Sequence, residues 1–219
     1  MQKINVITID GPSASGKGAL SKAIAKSIQF KLLDSGALYR LYAYLSNMSF
    51  TPNEIADQIR ENVNFDLGNK DLFVKYLDND VTDDLRSEII AKTASEFSSQ
   101  KEVRIALLSI QRNFYDGSGL VADGRDMGTV VFNDAKLKVF LTASPEERAQ
   151  RRYLELQNRG QEVNMRELID NIKKRDLKDS SRELSPLFPA EDAHIIDSSN
   201  LSLEEVFSIT ENLIKKEFN

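Results

Sequence analysis

The sequence predicts an α/β fold in which a five-stranded parallel sheet is flanked by helices. Five short apolar runs have the length of buried strands, and segments with helical spacing of apolar residues separate them. Strands that alternate with helices form parallel sheets through right-handed crossovers. The first strand also passes through a glycine-bearing turn directly into a helix, as phosphate-binding loops do. The predicted strands are 4–9, 30–33, 119–122, 137–141 and 193–197.

The turn between the first strand and the first helix is the first stretch with a chemical pattern. Its spacing is Gly11, four residues, then Gly16 and Lys17. Such a loop directs several backbone N–H groups toward one point at a helix N-terminus, where the helix dipole favours an anion. The pattern therefore predicts a phosphate-binding loop in which Lys17 reaches the β- and γ-phosphates. An ordinary turn made of small residues is the alternative.

Composition restricts the classes of protein that the chain can represent. Of its 219 residues, 41% are hydrophobic and 29% are charged, values typical of a globular domain. A net charge of −5 argues against general nucleic-acid binding, which requires a basic face. The absence of cysteine excludes disulfides, thiolate catalysis and zinc–thiolate sites, and fits a reducing cytoplasm. We expect a cytoplasmic monomer with no signal peptide and no membrane or nucleic-acid partner.

The middle of the chain predicts two further features. Apolar and polar residues alternate between Val63 and Leu67, and a second strand candidate begins at Leu72. With a turn at Asn79 and Asp80, this region near 63–82 predicts a small antiparallel sheet inserted between helices. The helices around it begin at capping sequences, since Ser or Thr is followed three residues later by Glu. These predicted starts are Thr51, Ser99, Ser144 and Ser202.

Polar residues follow the predicted parallel strands and should meet at one edge of the sheet, because ligands lie at the carboxyl ends of parallel strands. These residues are Asp10, Asp34, Asp123, Thr142 and Asp197. Asp123 directly follows a buried strand, as an acid that holds Mg²⁺ directly or through water would. The alternative for Asp123 is an N-cap of the following segment. His194, the only histidine, is interpreted as a strand residue and not a catalytic base.

Arginines are concentrated between Ser144 and Arg182, a segment that we interpret as a lid. Arg148 and Arg152 are four residues apart and share one helix face, and Arg175 follows on the next helix. Phosphoryl transfer requires positive charge around the migrating group, and arginines supplied there contribute about 10³–10⁵ in rate. The alternative is salt bridging to neighbouring carboxylates on the surface of these helices.

Six segments with natural spacing carry a resemblance to a known family. They read GPSASGKGA, LLDSGALYR, VADGRDMGTVVF, FLTASPEERAQRR, RD-x2-D-x2-R and IIDSSNLSLEEV, and together they cover nearly the whole chain. The chain resembles the bacterial cytidylate kinases, which are P-loop nucleoside monophosphate kinases. DGRDMGTVVF is the most specific of these segments, and the inserted small sheet is similar to the long bacterial form.

The resemblance implies a role for each matching residue. The donor ATP would bind at Gly11, Pro12, Ser13, Ala14, Ser15, Gly16, Lys17, Gly18 and Ala19. The acceptor CMP would bind at Ser35, Arg40, Ser95, Arg104, Arg125, Asp126, Arg175, Asp179 and Arg182. The catalytic set would be Lys17, Arg148, Arg152, Arg175 and Asp123, with Asp123 holding Mg²⁺, the implied cofactor, through water.

Within that acceptor set, Ser95, Arg104 and Asp126 match positions that recognise cytosine. Cytosine presents an exocyclic amine beside acceptors, so a carboxylate, a guanidinium and a hydroxyl complement it. Uracil has an acceptor where cytosine has the amine, so Asp126 would disfavour UMP. One position departs from the family, which generally carries Thr or Ser where this chain has Ala19.

The resemblance implies transfer of the γ-phosphoryl group of ATP to CMP or dCMP, giving ADP and CDP or dCDP. A single kinase domain, 1–219, would comprise a core of 1–35, 117–143 and 183–219. Residues 36–116 would form the CMP-binding part, and 144–182 the lid. The alternatives are a P-loop kinase for another small acceptor, such as UMP, or a nucleotide-binding regulator without transfer activity.

Overall fold

A computed structural model describes residues 3–68, 71–158 and 160–218, so the predicted termini of the domain at 1 and 219 lie outside the described residues. Five strands form one parallel sheet in the order β2-β6-β1-β7-β8, which confirms the predicted fold class. Its strands are β1 (Ile4–Asp10), β2 (Lys31–Asp34), β6 (Leu120–Gly124), β7 (Ala135–Thr142) and β8 (His194–Asp197).

Helices cover this sheet and form the parts on either side of it. The helices are α1 (Lys17–Ser27), α2 (Ser35–Ser46), α3 (Pro52–Asn62), α4 (Thr82–Leu85), α5 (Glu88–Phe97), α6 (Lys101–Asn113), α7 (Pro145–Asn158), α8 (Met165–Ser180) and α9 (Leu203–Phe218). A single π-helical turn, Met127–Val131, follows β6. Within the described residues, none of these helices has the length and apolar character needed to span a bilayer.

The sheet is apolar because its central strands are covered on both faces. Val6, Ile7 and Ile9 of β1 are fully buried, and β1 lies between β6 and β7. Strands buried on both faces form near-continuous apolar runs and not an alternating pattern. This explains why the parallel strands were predictable from their short apolar runs, whereas their polar ends mark the edge where the runs stop.

The small sheet was predicted correctly, but its second turn was not. Strands β3 (Val63–Leu67), β4 (Leu72–Tyr76) and β5 (Asn79–Asp80) pair antiparallel in sequence order. The turn lies at Leu77 and Asp78, whose φ angles are 48° and 63°. Two successive residues with positive φ match the twist of a tight hairpin, so β5 begins two residues earlier than the turn chemistry of its sequence suggested.

The predicted helix starts are confirmed at three positions and wrong at one. Thr51 and Ser202 form reciprocal capping boxes, and the Ser144 hydroxyl accepts the Glu147 N–H. Ser99 does not cap α6, since its hydroxyl donates to the carbonyl of Glu96 at 2.7 Å. The serine thus closes the end of α5, and α6 begins after Gln100.

Two clusters of buried apolar side chains hold helices against the two sheets. One cluster lies between the sheet, α1 and α9. The other joins α2, α3, α5 and α6 to the small sheet, with Leu38, Leu41 and Leu107 fully buried in it. The second cluster fixes α6 against α2, which brings residues distant in sequence to the same side of the cavity described below.

Helix α6 offers a matched pair for testing the second cluster. Leu107→Ala should lower the free energy of unfolding by about 2–5 kcal/mol, because it removes a fully buried side chain and leaves a cavity. Ile105→Ala on the same helix should change it by less than about 1 kcal/mol, since Ile105 is 62% exposed. Urea denaturation measures both values, and equal losses would contradict this assignment of the core.

Candidate active site

The carboxyl ends of the parallel strands meet at the rim of a large cavity. Asp34 and Asp123 lie side by side in register on β2 and β6, and Asp10 pairs with Gly124. The cavity has a volume of about 630 Å³, within the range of small-molecule sites. Asp34 and Asp123 line this cavity. Thr142 and Asp197, which are paired neighbours on β7 and β8, do not line it.

The predicted phosphate loop has the backbone of an anion cradle. Gly11 has a φ of 154°, and a Cβ at this position would lie 2.0 Å from the carbonyl oxygen of Leu141, so no side chain fits there. Ala14 and Gly16 have positive φ angles of 57° and 93°, which turn the chain into α1 at Lys17. This conformation directs the N-terminus of α1 toward the cavity.

Most of the predicted donor-site residues border the cavity. Those that line it are Ser13, Ala14, Gly16, Lys17, Gly18 and Ala19. Three others, Gly11, Pro12 and Ser15, do not line it, and Ser15 is fully buried. Ala19 is exposed on the cavity side of α1, so its methyl group occupies the place where a longer side chain would extend into the cavity.

Lys17 and Asp123 lie close together on the wall of the cavity. Lys17 Nζ donates to the carbonyl of Pro12 at 3.2 Å and lies 4.0 Å from Asp123 Oδ1. Burial and the nearby Arg125 lower the pKa of Lys17 to about 8. Burial raises the pKa of Asp123 to about 6 against the opposing charge of Lys17. An anionic ligand would stabilise the charged form of Lys17.

Asp123 is the residue that fits a magnesium ion. Its buried Oδ1 atom has no hydrogen-bond partner within the described residues, and a Cβ on Gly18 would lie only 3.3 Å from Oδ2. The described residues contain no group of three or more metal-ligating side chains. Because Mg²⁺ is commonly held by one or two carboxylates together with substrate phosphates, this donor set fits an ion that arrives with ATP.

Asp179 organises the arginines on the far side of the cavity. This carboxylate is 1% exposed and accepts from Arg125 Nε at 3.1 Å and from Arg182. Burial alone would raise the pKa of Asp179, but Arg125, Arg182 and Arg175 hold it below its usual value. The buried carboxylate thus stays charged and holds two guanidinium groups in fixed positions along the cavity wall.

Two cavity-lining arginines have no ion pair within the described residues. Arg40 lies on α2, and Arg175 lies on α8, where its buried Nε atom has no hydrogen-bond partner. Burial, together with the nearby Arg125, lowers the pKa of Arg175 to about 10, so its guanidinium group remains protonated at neutral pH. Unpaired buried charge is costly unless a ligand compensates it, which indicates an anion-binding cavity.

A second cluster of polar side chains in the cavity contains Ser95 of α5, Arg104 of α6 and Asp126. Arg104 forms an ion pair with Asp126 and donates to the carbonyl of Ser98 at 3.0 Å. Its guanidinium group lies 5.9 Å from the ring centroid of Tyr39. Tyr39 lines the cavity, and its buried hydroxyl has no hydrogen-bond partner within the described residues. Ser95 also lines the cavity.

Arg152, predicted as a lid arginine, lines the cavity but is held by two carboxylates. It pairs with Glu88 of α5 and with Glu155 on its own helix at 2.6 Å. The Glu88 contact connects α7 to the opposite side of the cavity. A phosphate group entering the cavity would compete with these carboxylates for Arg152.

Arg148 has a different position from the one predicted for a lid arginine. It is 2% exposed, does not line the cavity and forms an ion pair with Asp176 of α8. It also donates to the carbonyl of Ser13 at 3.2 Å. Helical spacing placed Arg148 and Arg152 on one face, but the packing of α8 covers only the first of them. Arg148 thus stabilises the backbone of the phosphate loop without lining the cavity.

Arg151, to which no sequence motif assigned a role, also contacts the backbone of the phosphate loop. Its Nη1 donates to the carbonyl of Ser15 at 2.9 Å, and its Nη2 donates to the carbonyl of Ser198 at 2.6 Å. Both partners are backbone atoms far away in the sequence. No spacing rule predicts such a contact, although the cluster of three arginines on one short helix could have suggested more than one role.

A glycine loop at a helix N-terminus, a buried lysine and a strand-end carboxylate facing a cationic cavity define a P-loop phosphotransferase. The sequence model described as "Cytidylate kinase" matches residues 7–216. The chain belongs to the cytidylate kinase family.

Individual relatives agree with the family assignment. A cytidylate kinase from Stutzerimonas stutzeri is 46% identical over 213 residues, which cover 94% of this chain and 93% of that protein. One from Citrobacter koseri is 47% identical over 206 residues, covering 92% and 91%. The structure of an uncharacterized protein from Eubacterium ventriosum, 13% identical, superposes with a TM-score of 0.51 over 96% of this chain and 98% of that chain. At this identity it shows a shared fold alone.

The lowered pKa of Lys17 predicts proton uptake when ATP binds. At pH 8 the free protein holds Lys17 only partly protonated, and the phosphates should raise the pKa of Lys17 and draw a proton onto it. Calorimetric titration in buffers of different ionisation enthalpy measures this uptake. Lys17→Arg keeps the charge but stays protonated at this pH, so the uptake should be lost. Equal uptake in both proteins would contradict the assignment.

Proposed function

We propose that this protein transfers the γ-phosphoryl group of ATP to CMP or dCMP, giving ADP and CDP or dCDP. The observation that carries the proposal is the arrangement of one continuous cavity. The phosphate loop, a cluster of cationic side chains and the Arg104–Asp126 pair all line this cavity. The family assignment supports both the activity and the acceptor.

At the donor end, the backbone of the phosphate loop and Lys17 bind the ATP phosphates. Lys17 lies between the loop and Asp123, so it follows the β- and γ-phosphates during transfer. Asp123 would hold Mg²⁺, which would supply positive charge to the phosphate oxygens when bound. Arg148 acts indirectly, since it fixes the loop through the carbonyl of Ser13.

At the acceptor end, Arg125 and Arg182 bind the phosphate of CMP, and Ser35 and Arg40 contact the nucleotide at α2. Arg175 and Asp179 lie beside the pentose. The acceptor phosphate attacks the γ-phosphorus in line, with no covalent intermediate on the protein. Arg152 and Arg175 stabilise the charge that spreads over the migrating group, as positive charge does in phosphoryl transfer.

The polar cluster of Ser95, Arg104 and Asp126 recognises the base. Asp126 accepts from the exocyclic amine of cytosine, while Arg104 donates to the ring acceptors and Ser95 adds a hydroxyl. The Asp126 carboxylate is 3% exposed, so an acceptor atom from uracil would meet it without a proton between them. A buried polar group left unpaired in this way gives strong discrimination.

We propose that these events belong to three parts of one domain. Residues 36–116, with the small sheet, form the acceptor side, and 144–182 form the lid over the donor side. The remaining residues form the core that holds the phosphate loop. We further propose that the protein acts as a monomer in the cytoplasm, on free nucleotides and not on nucleic acid.

A panel of monophosphates tests the proposed acceptor. With ATP and Mg²⁺, a coupled assay of ADP release should show much higher kcat/KM for CMP and dCMP than for UMP, because uracil presents an acceptor to Asp126 where cytosine presents an amine. AMP, whose base carries an amine but is larger, should also be a poor substrate. Lys17→Ala should abolish transfer to every acceptor. Equal rates on UMP or AMP would reject the cytosine assignment, and ATP binding without CDP formation would favour a regulator.

Ala19 allows a test of the donor loop. Ala19→Thr should preserve or raise kcat/KM, because the position is exposed to the cavity and the added hydroxyl is an oxygen ligand near the phosphates and Mg²⁺. Ala19→Val, which has the same shape without the hydroxyl, is the control and should give no gain. A severe loss in the Thr variant alone would contradict the placement of the loop.

A further inference from the structure

Asp10 is a buried carboxylate that the reaction described above does not use. It is the last residue of β1, is 5% exposed and does not line the cavity. Its two oxygens accept from successive backbone N–H groups, Oδ1 from Met127 at 2.9 Å and Oδ2 from Gly128 at 2.8 Å. The charged groups that act on Asp10 within the described residues are two further carboxylates, Asp123 and Asp126, and no cation offsets its charge.

The two N–H groups explain why a carboxylate stands at this position. An ionised carboxyl group has acceptors on both oxygens, so it satisfies two N–H groups that point toward it together. Asparagine has one oxygen and one amide group, and the amide protons would face one of the two N–H groups. Burying an unpaired charge is costly, so a residue of this kind indicates a role beyond the packing of β1.

The hydrogen bond from Met127 holds the backbone next to Asp126. The Met127 N–H belongs to the peptide group that joins these two residues. The carbonyl of the same peptide group, that of Asp126, accepts from Val130 at 2.9 Å and from Val131 at 3.1 Å, where the π-helical turn begins. Because a peptide group is planar, contacts at both its N–H and its C=O fix the direction in which the chain leaves Asp126.

Gly128 allows the turn to approach β1 closely enough for these hydrogen bonds. A Cβ at Gly128 would lie 2.8 Å from Oγ1 of Thr8, a fully buried residue of β1, and 3.2 Å from Cδ of Lys138. No side chain fits there unless the turn moves away from the strand. A substitution at Gly128 therefore disturbs the contact with Asp10 without changing the carboxylate.

We propose that Asp10 is a positioning residue, which holds the backbone beside Asp126 so that the Asp126 carboxylate stays in place to recognise the base of the acceptor nucleotide. The inference rests on the proposed function, in which Asp126 recognises cytosine. Asp10 does not touch the nucleotide, and it acts through the peptide group that precedes Met127. Since Gly11 directly follows Asp10, the end of one strand supports both the phosphate loop and base recognition.

Asp10→Asn tests this role, because it keeps the shape of the side chain and replaces one acceptor oxygen with a donor. Burial raises the pKa of Asp10 to about 7, so the proteins are compared at pH 8, where the carboxylate is ionised. We expect kcat/KM for CMP to fall about 10-fold, the effect of one lost hydrogen bond. For UMP, which gains no hydrogen bond from Asp126, kcat/KM should change less than about three-fold. The preference for CMP over UMP should therefore fall.

Two further variants separate positioning from a general loss of stability. Val206→Ala is the control, since Val206 is buried on α9 against the large sheet and does not line the cavity. It should lower the free energy of unfolding and leave the preference for CMP within about two-fold. Gly128→Ala should lower that preference as Asp10→Asn does, and it decides the matter where Asp10→Asn does not fold.

A double-mutant cycle tests whether Asp10 acts through Asp126. Asp126→Ala should itself remove most of the preference for CMP over UMP. Adding Asp10→Asn should then change the preference by less than about two-fold, because the carboxylate that it positions is already absent. Multiplying effects of the two substitutions would overturn the positioning role.

Amide hydrogen exchange gives a measurement that needs no substrate. The Met127 and Gly128 amides should exchange slowly in the wild-type protein, and at least one should exchange much faster in Asp10→Asn. Fast exchange of both amides in the wild-type protein would overturn the role of Asp10, even where neither variant folds.

The outcomes distinguish this inference from the proposed function. An unchanged preference for CMP in both Asp10→Asn and Gly128→Ala would overturn the positioning role while CMP remains the substrate. An unchanged preference in Asp126→Ala would overturn the base contact and the role of Asp10 with it. Failure of the wild-type protein to phosphorylate CMP would reject the proposed function itself.

Discussion

The arginines of the cavity wall are held in place by one buried carboxylate, that of Asp179. Asp179 pairs with Arg125 and Arg182 and lies within the field of Arg175, so it keeps three guanidinium groups close together without a ligand. Removing one partner of a buried ion pair costs about 3–5 kcal/mol because it leaves uncompensated charge. Asp179 compensates this positive charge only in part, and the remainder favours the phosphates of two nucleotides brought to one place.

The sequence predicted the elements that depend on local pattern. Apolar runs located the parallel strands, and their polar ends located Asp34 and Asp123 at the cavity. The wrong predictions have local causes as well. Ser99 has the spacing of a capping box, but its hydroxyl hydrogen bonds to the preceding turn of α5 and leaves α6 uncapped by a side chain. The hairpin turn at Leu77 uses a residue that carries no turn signal.

The roles that were not predictable depend on contacts between distant segments. Helical spacing gives Arg148 and Arg152 the same face, yet Asp176 and the carbonyl of Ser13 surround only Arg148. The same holds for Gln111, whose partner Ser35 lies on another helix. Most of the residues that motif resemblance identified line the cavity, whereas the contacts behind them became visible only once the helices were packed.

Helix α6 fixes the distance between Arg104 and Gln111. Arg104 pairs with Asp126 and Gln111 contacts Ser35, and the separation of seven positions advances the helix by about 10 Å. A rigid helix thus fixes the distance between these two contacts. Inserting a single residue would rotate one contact by about 100° relative to the other. The number of residues in this helix segment is therefore as restricted as the identity of the residues at its ends.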